Sequence, residues 1–338
     1  MTNELNNPML DRAKGCLIGL AIGDALGAPV EFSDRGTFKP VTNYQDGGPF
    51  NLKAGQWTDD TSQALCLADS ILSDKEFSQE DFLNRMVNWK QYGHNSSTGE
   101  CFDIGIGTAN ALWHYESTGK VPLNANSGGN GNIMRLAPVA IAYHRDIDKV
   151  QEIARLSSLT THGHISALTC ADFLSLILCN YITGDRDDYY AWVKEKANKL
   201  ECELQYALSS IEGNFSLAYH SDSGPHESTL CSNTLYKLTS AATSDGSQWH
   251  NISGFSTDTL CAAIYCFSNT ESFEECVLTA VNLGGDTDSV GAVAGQIAGA
   301  YYGLSGIPQK FIDGLQDSER FLMLAEQLFN LYGDKNEN

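Results

Sequence analysis

Apolar positions along the chain recur at three- and four-residue spacing, and two-residue alternation is almost absent. Residues 10–27 (LDRAKGCLIGLAIGDALG) read as a helix of small residues, whose Gly and Ala permit close helix contacts. Residues 59–73 read as an amphipathic helix, with Leu65, Ala68, Ile71 and Leu72 on neighbouring turns. The same periodicity predicts helices near 79–92, 104–116, 147–157, 164–182, 187–211, 257–267, 271–282, 287–303 and 308–331. The most apolar stretch, ISALTCADFLSLILCNYI at 165–182, carries Asp172 and several Ser, Thr and Asn, and reads as a buried helix and not a membrane span. The expectation is an all-α fold in one compact multi-helix domain over residues 10–332.

Two stretches interrupt the helical pattern. Residues 117–132 (STGKVPLNANSGGNGN) are loop-like. Residues 213–255 are polar, with scattered Gly, Pro and His, and read as an insertion or surface excursion. No short-period repeat or long linker divides the chain.

Composition narrows the function. The 338 residues hold 21 Lys plus Arg against 42 Asp plus Glu, a formal net charge of -21. That disfavours nucleic acid, whose phosphates are held by clustered basic residues, and an anionic membrane surface. It is compatible with cations. There are ten cysteines. Seven of them (Cys16, Cys66, Cys170, Cys179, Cys261, Cys266 and Cys276) sit inside apolar stretches without CxxC spacing, as small core residues of a reducing compartment do. The polar start, MTNELNNPMLDRAKG, has no signal-peptide core, so the expected location is cytoplasmic.

Candidate chemistry lies in two segments that place acids at the mouth of an apolar helix. In GQWTDDTSQALCLADSIL (55–72) these are Thr58, Asp59 and Asp60; in NLGGDTDSVGAVAGQIAGAYYG (282–303) they are Asp286, Asp288 and Ser289, after Gly284-Gly285. Asp, Thr and Ser are preferred helix caps, and capping alone explains one such pair. Four carboxylates exceed what two helix ends need. If the two mouths pack together, the cluster repels itself unless hard divalent cations neutralise it, and an all-oxygen set suits Mg2+ or Mn2+.

With these segments, GCLIGLAIGDALGAPVEF (15–32), GNGNIMRLAPVAI (129–141) and THGHISALTCADFL (161–174), the chain resembles the ADP-ribosylglycohydrolase family, in that family's order and over nearly its whole length. The resemblance implies an all-α fold with a cleft holding two Mg2+ or Mn2+ ions, and cleavage of ADP-ribose from a modified protein side chain. It implies metal ligation by Thr58, Asp59, Asp60, Asp286, Asp288 and Ser289, with Glu31 beside the metals. It further implies that Gly129, Asn130, Gly131 and Asn132 form the ADP-ribose loop, since glycines bring backbone N–H groups close to an anion. His162 matches a histidine near the diphosphate or distal ribose; His164 has no such match.

ECFDIGIGTANAL (100–112) resembles the arginine-directed, dinitrogenase-reductase-type branch, in which the aspartate at Asp103 reaches the scissile group. A carboxylate holds a guanidinium by two parallel hydrogen bonds and relays a proton at the departing nitrogen. Taken from the residues alone, Asp103 is equally a cap for a helix starting near Ile104. The expected reaction is hydrolysis of ADP-ribosylated arginine, with Glu31 and Asp103 managing protons. The substrate is then an ADP-ribosylated protein, the product ADP-ribose, and an ADP-ribosyltransferase the source of the modification. The alternatives are an O-linked, serine-type hydrolase on the same metals, and a non-catalytic ADP-ribose- or partner-binding protein of the same fold.

Overall fold

A computed structural model describes residues 7–122, 127–184, 241, 246 and 248–332. The regular structure of these residues is helical, with three isolated β-bridges and no sheet. In chain order the helices are α1 (Pro8–Gly27), α2 (Asp59–Asp74), α3 (Gln79–Tyr92), α4 (Ile106–Thr118), α5 (Ala137–Tyr143), α6 (Ile147–Leu159), α7 (Ile165–Thr183), α8 (Ser256–Ser268), α9 (Phe273–Val281), α10 (Thr287–Tyr302), α11 (Gln309–Gly314) and α12 (Ser318–Phe329). The helix expected at 187–211 and most of the segment at 213–255 lie outside the described residues.

The α1–α10 pair is the most extensive helix packing in the fold. Four glycines on α1 at four-residue intervals face three on α10 in reverse order: Gly15 against Gly299, Gly19 against Gly295 and Gly23 against Gly291, with Gly27 against Thr287 and Asp288. The helices are therefore antiparallel, and with no Cβ at these positions the backbones touch. An alanine at Gly23 would drive its methyl into the Gly291 carbonyl oxygen. α1 is apolar on nearly every side, as a helix enclosed by protein requires: Leu17, Ile18, Leu20, Ile22 and Leu26 are all buried. α1 and α7 are long and apolar enough to cross a bilayer, yet both are buried in the fold. Within α7, Asp172 is buried and accepts from Arg155 Nε at 2.7 and 2.9 Å, which compensates its charge. The seven cysteines read as core residues are all buried free thiols.

Two boundaries differ from the periodicity. Residues 308–331 do not form one helix: α11 ends at Gly314 and α12 starts at Ser318, with Asp317 in the left-handed region (φ 57°). Tertiary bonds cause the break, because Gln316 N donates to Gly55 O (3.0 Å) and Gln316 Nε2 to Ser97 O (3.1 Å). α5 was not expected. Its Pro138 is harmless in the first turn, where no N–H partner is needed.

Candidate active site

Antiparallel packing brings the C-terminal end of α1 to the N-terminal end of α10, and a buried aspartate carries α2 to the same place. Asp24, on α1, is wholly buried. Its Oδ1 accepts from Thr58 N (2.9 Å) and Thr58 Oγ1 (3.0 Å), its Oδ2 from Thr61 N (3.0 Å) and Thr61 Oγ1 (2.6 Å). It thus caps α2 from another helix, satisfying N–H groups that a helix start leaves open. Burial raises its pKa to about 6, against the lowering effect of those four bonds. Sequence reasoning passed over Asp24; a lone acid inside an otherwise apolar small-residue helix was the available signal.

Asp24 performs that task for α2, and the acids of neither helix mouth act as caps. Neither Thr58, at the start of α2, nor Asp286, at the start of α10, makes a side-chain capping bond. The local backbone turns them elsewhere. Gly284 and Gly285 both have positive φ (80° and 82°), and a side chain at Gly285 would collide with the Ile252 backbone. Thr58 Oγ1 also lies 3.1 Å from Asp288 Oδ2, and Ser289 Oγ donates to Asp60 Oδ1 at 3.2 Å, so each mouth contributes a hydroxyl to the other's carboxylate.

Glu31 follows the short 3-10 turn at Ala28–Val30. Asp103 sits ahead of α4 in the left-handed region (φ 58°), where Asp is tolerated better than most residues. α4 begins at Ile106 with Gly105 as its cap, so Asp103 does not cap it. Carboxylate oxygens of Glu31, Asp103 and Asp288 lie within 4.8 Å of one another. Glu31, expected beside the metals, and Asp103, expected at the scissile group, therefore stand close enough to share an ion with Asp288. Asp59 and Asp286 line the same cleft, while Asp60 and Thr58 lie behind it.

Every carboxyl in the cluster is pushed up. For Glu31 the causes are burial and then the charges of Asp288, Asp103, Asp286 and Asp59. Burial leads for Asp59, Asp60, Asp286 and Asp288 as well. Asp103 is raised to about 7 by burial and then by Asp286 and Asp24. Three buried oxygens, Glu31 Oε2, Asp60 Oδ2 and Asp288 Oδ1, have no hydrogen-bond partner. Clustered carboxylates with orphaned acceptors and only oxygen donors suit a hard divalent cation. Mg2+ or Mn2+ fits this chemistry.

The opposite wall of the cleft is made of glycines. The cleft, about 780 Å3, is lined on this side by Gly128, Gly129, Asn130, Gly131 and His162. The loop rests on the imidazole: a Cβ at Gly131 would lie 2.6 Å from His162 Cε1, and one at Gly129 3.2 Å from His162 Nε2. Asn130 Nδ2 donates to Asp286 Oδ2 (2.7 Å) and to Thr259 Oγ1 (2.9 Å), so this side chain ties the glycine loop to the acids. Asn132, expected in the ligand loop, does not line the cleft. It is buried, and its amide donates inward to Ser158 Oγ and Ala167 O, both at 2.8 Å. His164 caps α7, its Nδ1 accepting from Ser166 N at 3.2 Å.

Residues 252–254 complete the wall. Asn251 N donates to Leu283 O, Ile252 N to Gly284 O and Asp286 N to Ile252 O, each at 2.9 Å, and Asn130 N donates to Gly254 O at 3.0 Å. The end of the segment expected as a surface excursion is thus built into the site. Its Ser, Gly and Asn are loop residues by composition, and only backbone pairing reveals that they are fixed. Phe32 and Ile106, both mostly exposed, stand at the rim.

The chain is similar to known proteins over nearly its whole length. A family model described as ADP-ribosylglycohydrolase matches residues 5–338. The chain is 38% identical over 325 residues to ADP-ribosylarginine hydrolase Tri1 of Serratia proteamaculans, covering 95% of this chain and 79% of that protein. It is 36% identical over 324 residues to ADP-ribosylarginine hydrolase Tri1 of Pseudomonas putida (95% and 78%). A solved structure titled "ADP-ribosylglycohydrolase-related protein complex" superposes with a TM-score of 0.72 at 35% identity, covering 96% of this chain and 98% of that one. Matched along its length in sequence and in fold, the chain belongs to the ADP-ribosylglycohydrolase family of enzymes.

Proposed function

We propose that this glycohydrolase removes ADP-ribose from arginine side chains of proteins, by hydrolysing the bond between ribose C1 and a guanidinium nitrogen. The observation that carries the reading is the pair Glu31 and Asp103, packed against Asp288 within 4.8 Å and open to the cleft. Two carboxyls lining an acidic cleft suit a planar cation better than a neutral serine oxygen. The names of the two Tri1 relatives, both arginine hydrolases, point the same way.

In this reading Thr58, Asp59, Asp60, Asp286, Asp288 and Ser289 hold two Mg2+ or Mn2+ ions, with Glu31 and Asp103 within reach. Bound there, the ions supply Lewis-acid activation of water and of the ribose hydroxyls. The remaining acidic side chains stabilise positive charge at C1 as the C1–N bond lengthens. Water contributes hydroxide to C1 and one proton, and the departing guanidine nitrogen gains a proton. Asp103, which lines the cleft and whose pKa burial and the neighbouring acids raise in the metal-free protein, is placed to pass that proton. Across the cleft, the backbone N–H groups of Gly128, Gly129 and Gly131 and the His162 ring receive the diphosphate and distal ribose. The biological counterpart is an ADP-ribosyltransferase, either a regulatory enzyme or a toxin. Free thiols at all eight described cysteines fit a cytoplasmic setting.

The test is release of free ADP-ribose from an arginine-modified protein with Mg2+, with Mn2+, with chelator and with Asp286→Ala, beside a serine-linked substrate. Metal-dependent release from arginine alone is expected. Release from serine instead would overturn the arginine assignment and keep the metal site. No release from either, by protein shown to bind metal, would overturn the hydrolase reading.

A further inference from the structure

Behind the glycine wall lies a fully buried guanidinium that the reaction does not touch. Arg135, in the turn before α5, is 0% exposed, with its charge 5.0 Å over the Phe82 ring. Its Nη1 donates to Gln63 Oε1 at 2.5 Å, and Gln63 Nε2 donates in turn to Asp59 Oδ2 at 2.5 Å. Its Nη2 donates to Thr161 Oγ1 (2.7 Å) and to Ser157 O (3.3 Å). Thr161 Oγ1 then lies 2.7 Å from His162 Nδ1. One chain of hydrogen bonds thus runs from a carboxylate of the acidic wall to the imidazole under the glycine loop.

The direction of the last bond follows from counting protons. A guanidinium only donates, so Thr161 accepts from Arg135. The Thr161 hydroxyl is buried, and His162 Nδ1 is the one acceptor it meets. It must donate there, or its own hydrogen is left unpaired in the interior, which costs more than the bond is worth. Nδ1 is therefore unprotonated, and the ring proton sits on Nε2. Nε2 faces the cleft: Cβ atoms built at Gly107, Gly129 and Gly131 would lie 3.0–3.2 Å from it. The histidine backbone is also held, with His162 N donating to Ser158 O (2.7 Å) and His162 O accepting from Ser158 Oγ (2.8 Å).

We propose that Arg135 and Thr161 are positioning residues that lock His162 in its Nε2–H form, making it a permanent uncharged donor to an anionic oxygen of the ligand on the 128–131 loop. This rests on the reading of the cleft as an ADP-ribose site, and the oxygen belongs to a phosphate group. An imidazole held by chance would gain and lose its donor with rotamer and pH; this one keeps it. Burial and the Arg135 charge also hold His162 down to about 3, so the ring does not become an imidazolium at neutral pH. Burial lowers Arg135 itself to about 9, which leaves it cationic at neutral pH.

The experiment uses the full chain labelled with 15N-histidine, and Thr161→Val and Thr161→Ser variants. Nitrogen-15 shifts of wild-type His162 should report the Nε2–H tautomer with no titration between pH 5 and 8. ADP-ribose binding, measured by calorimetry in Mn2+, should weaken about tenfold in Thr161→Val, with Mn2+ affinity unchanged, and return in Thr161→Ser. A purely structural role for Thr161 would lower the melting temperature and leave the tautomer and the affinity alone. A Nδ1–H tautomer in the wild type, or wild-type affinity in Thr161→Val, would overturn the proposal. Should Thr161→Val fail to fold, the wild-type spectrum decides. Absence of ADP-ribose binding by the wild type, with the tautomer as expected, would instead overturn the reading of the cleft on which the proposal stands.

Discussion

The two walls of the cleft are built on opposite terms. The acidic wall is left incomplete by the protein: Glu31 Oε2, Asp60 Oδ2 and Asp288 Oδ1 are buried acceptors with no donor, and every carboxyl there is pushed up. At the cleft surface the glycine wall is complete. Asn130 is bonded on both sides and His162 is held at Nδ1 and along its backbone. What faces the cleft on the acidic side is bare acceptors; on the glycine side it is backbone and one ring N–H. By their chemistry the first wall suits cations and the second suits anions. The acids need a rigid support, because their mutual repulsion would otherwise push them apart. The glycine seam between α1 and α10, locked by backbone contact, is that support.

Neutralising one acid separates the walls most strongly. In Asp288→Asn, ADP-ribose release should fall about a thousandfold as cation binding is lost. The melting temperature in chelator should nonetheless rise, since one repelling charge is gone. A lower melting temperature in chelator would break the comparison by showing that Asp288 is a structural partner. Asp103→Asn should lower kcat on arginine-linked substrate about a hundredfold and leave ADP-ribose affinity near wild type. An equal loss in affinity would assign Asp103 to product binding instead.

Gly131→Ala tests the other wall. Its methyl would press on His162 Cε1 at 2.6 Å, so ADP-ribose should bind about tenfold more weakly with Mn2+ affinity unchanged. Loss of both affinities together would mean the walls are not separable.

The smallest effect expected is in pH. Folded-state pKa values of about 6 for Asp24 and about 7 for Asp103 lie above the unfolded value, so without metal the folded protein holds protons that the unfolded chain has released. That contribution is complete below about pH 4 and declines as pH rises through 6 and 7. Burial is the first cause of both shifts, and a bound cation relieves the repulsion that adds to it at Asp103, so the gap in melting temperature between Mg2+ and chelator should widen by a few degrees from pH 5 to pH 8. A constant gap would show that the acids do not repel one another.

Most helices were legible because their apolar stripes repeat at helical spacing. α2, α3 and α7 fall within a residue or two of the expected bounds. The 308–331 pattern misled, since Gln316 and Gly55 break it by a contact no local pattern carries. In the site, acids at two helix mouths were visible as residues. That they are not caps was invisible: at α2 the capping is done by Asp24, more than thirty positions away from Thr58, and at α10 Asp286 accepts from Asn130 instead. Nothing local to Arg135 reveals its burial between Gln63 and Thr161.

By itself, then, the sequence determined the helical class, the glycine spacing on α1 and α10, and which acids and glycines the chain has to offer. Those properties are local, set by side-chain periodicity and backbone freedom along one segment. Tertiary structure alone decided that the two mouths meet, that Glu31 and Asp103 join Asp288, that Asn132 turns inward and that His162 Nδ1 meets the Thr161 hydroxyl. Each of those depends on which buried donor finds which acceptor across long sequence separations, and a partner of that kind exists only once the chain has packed.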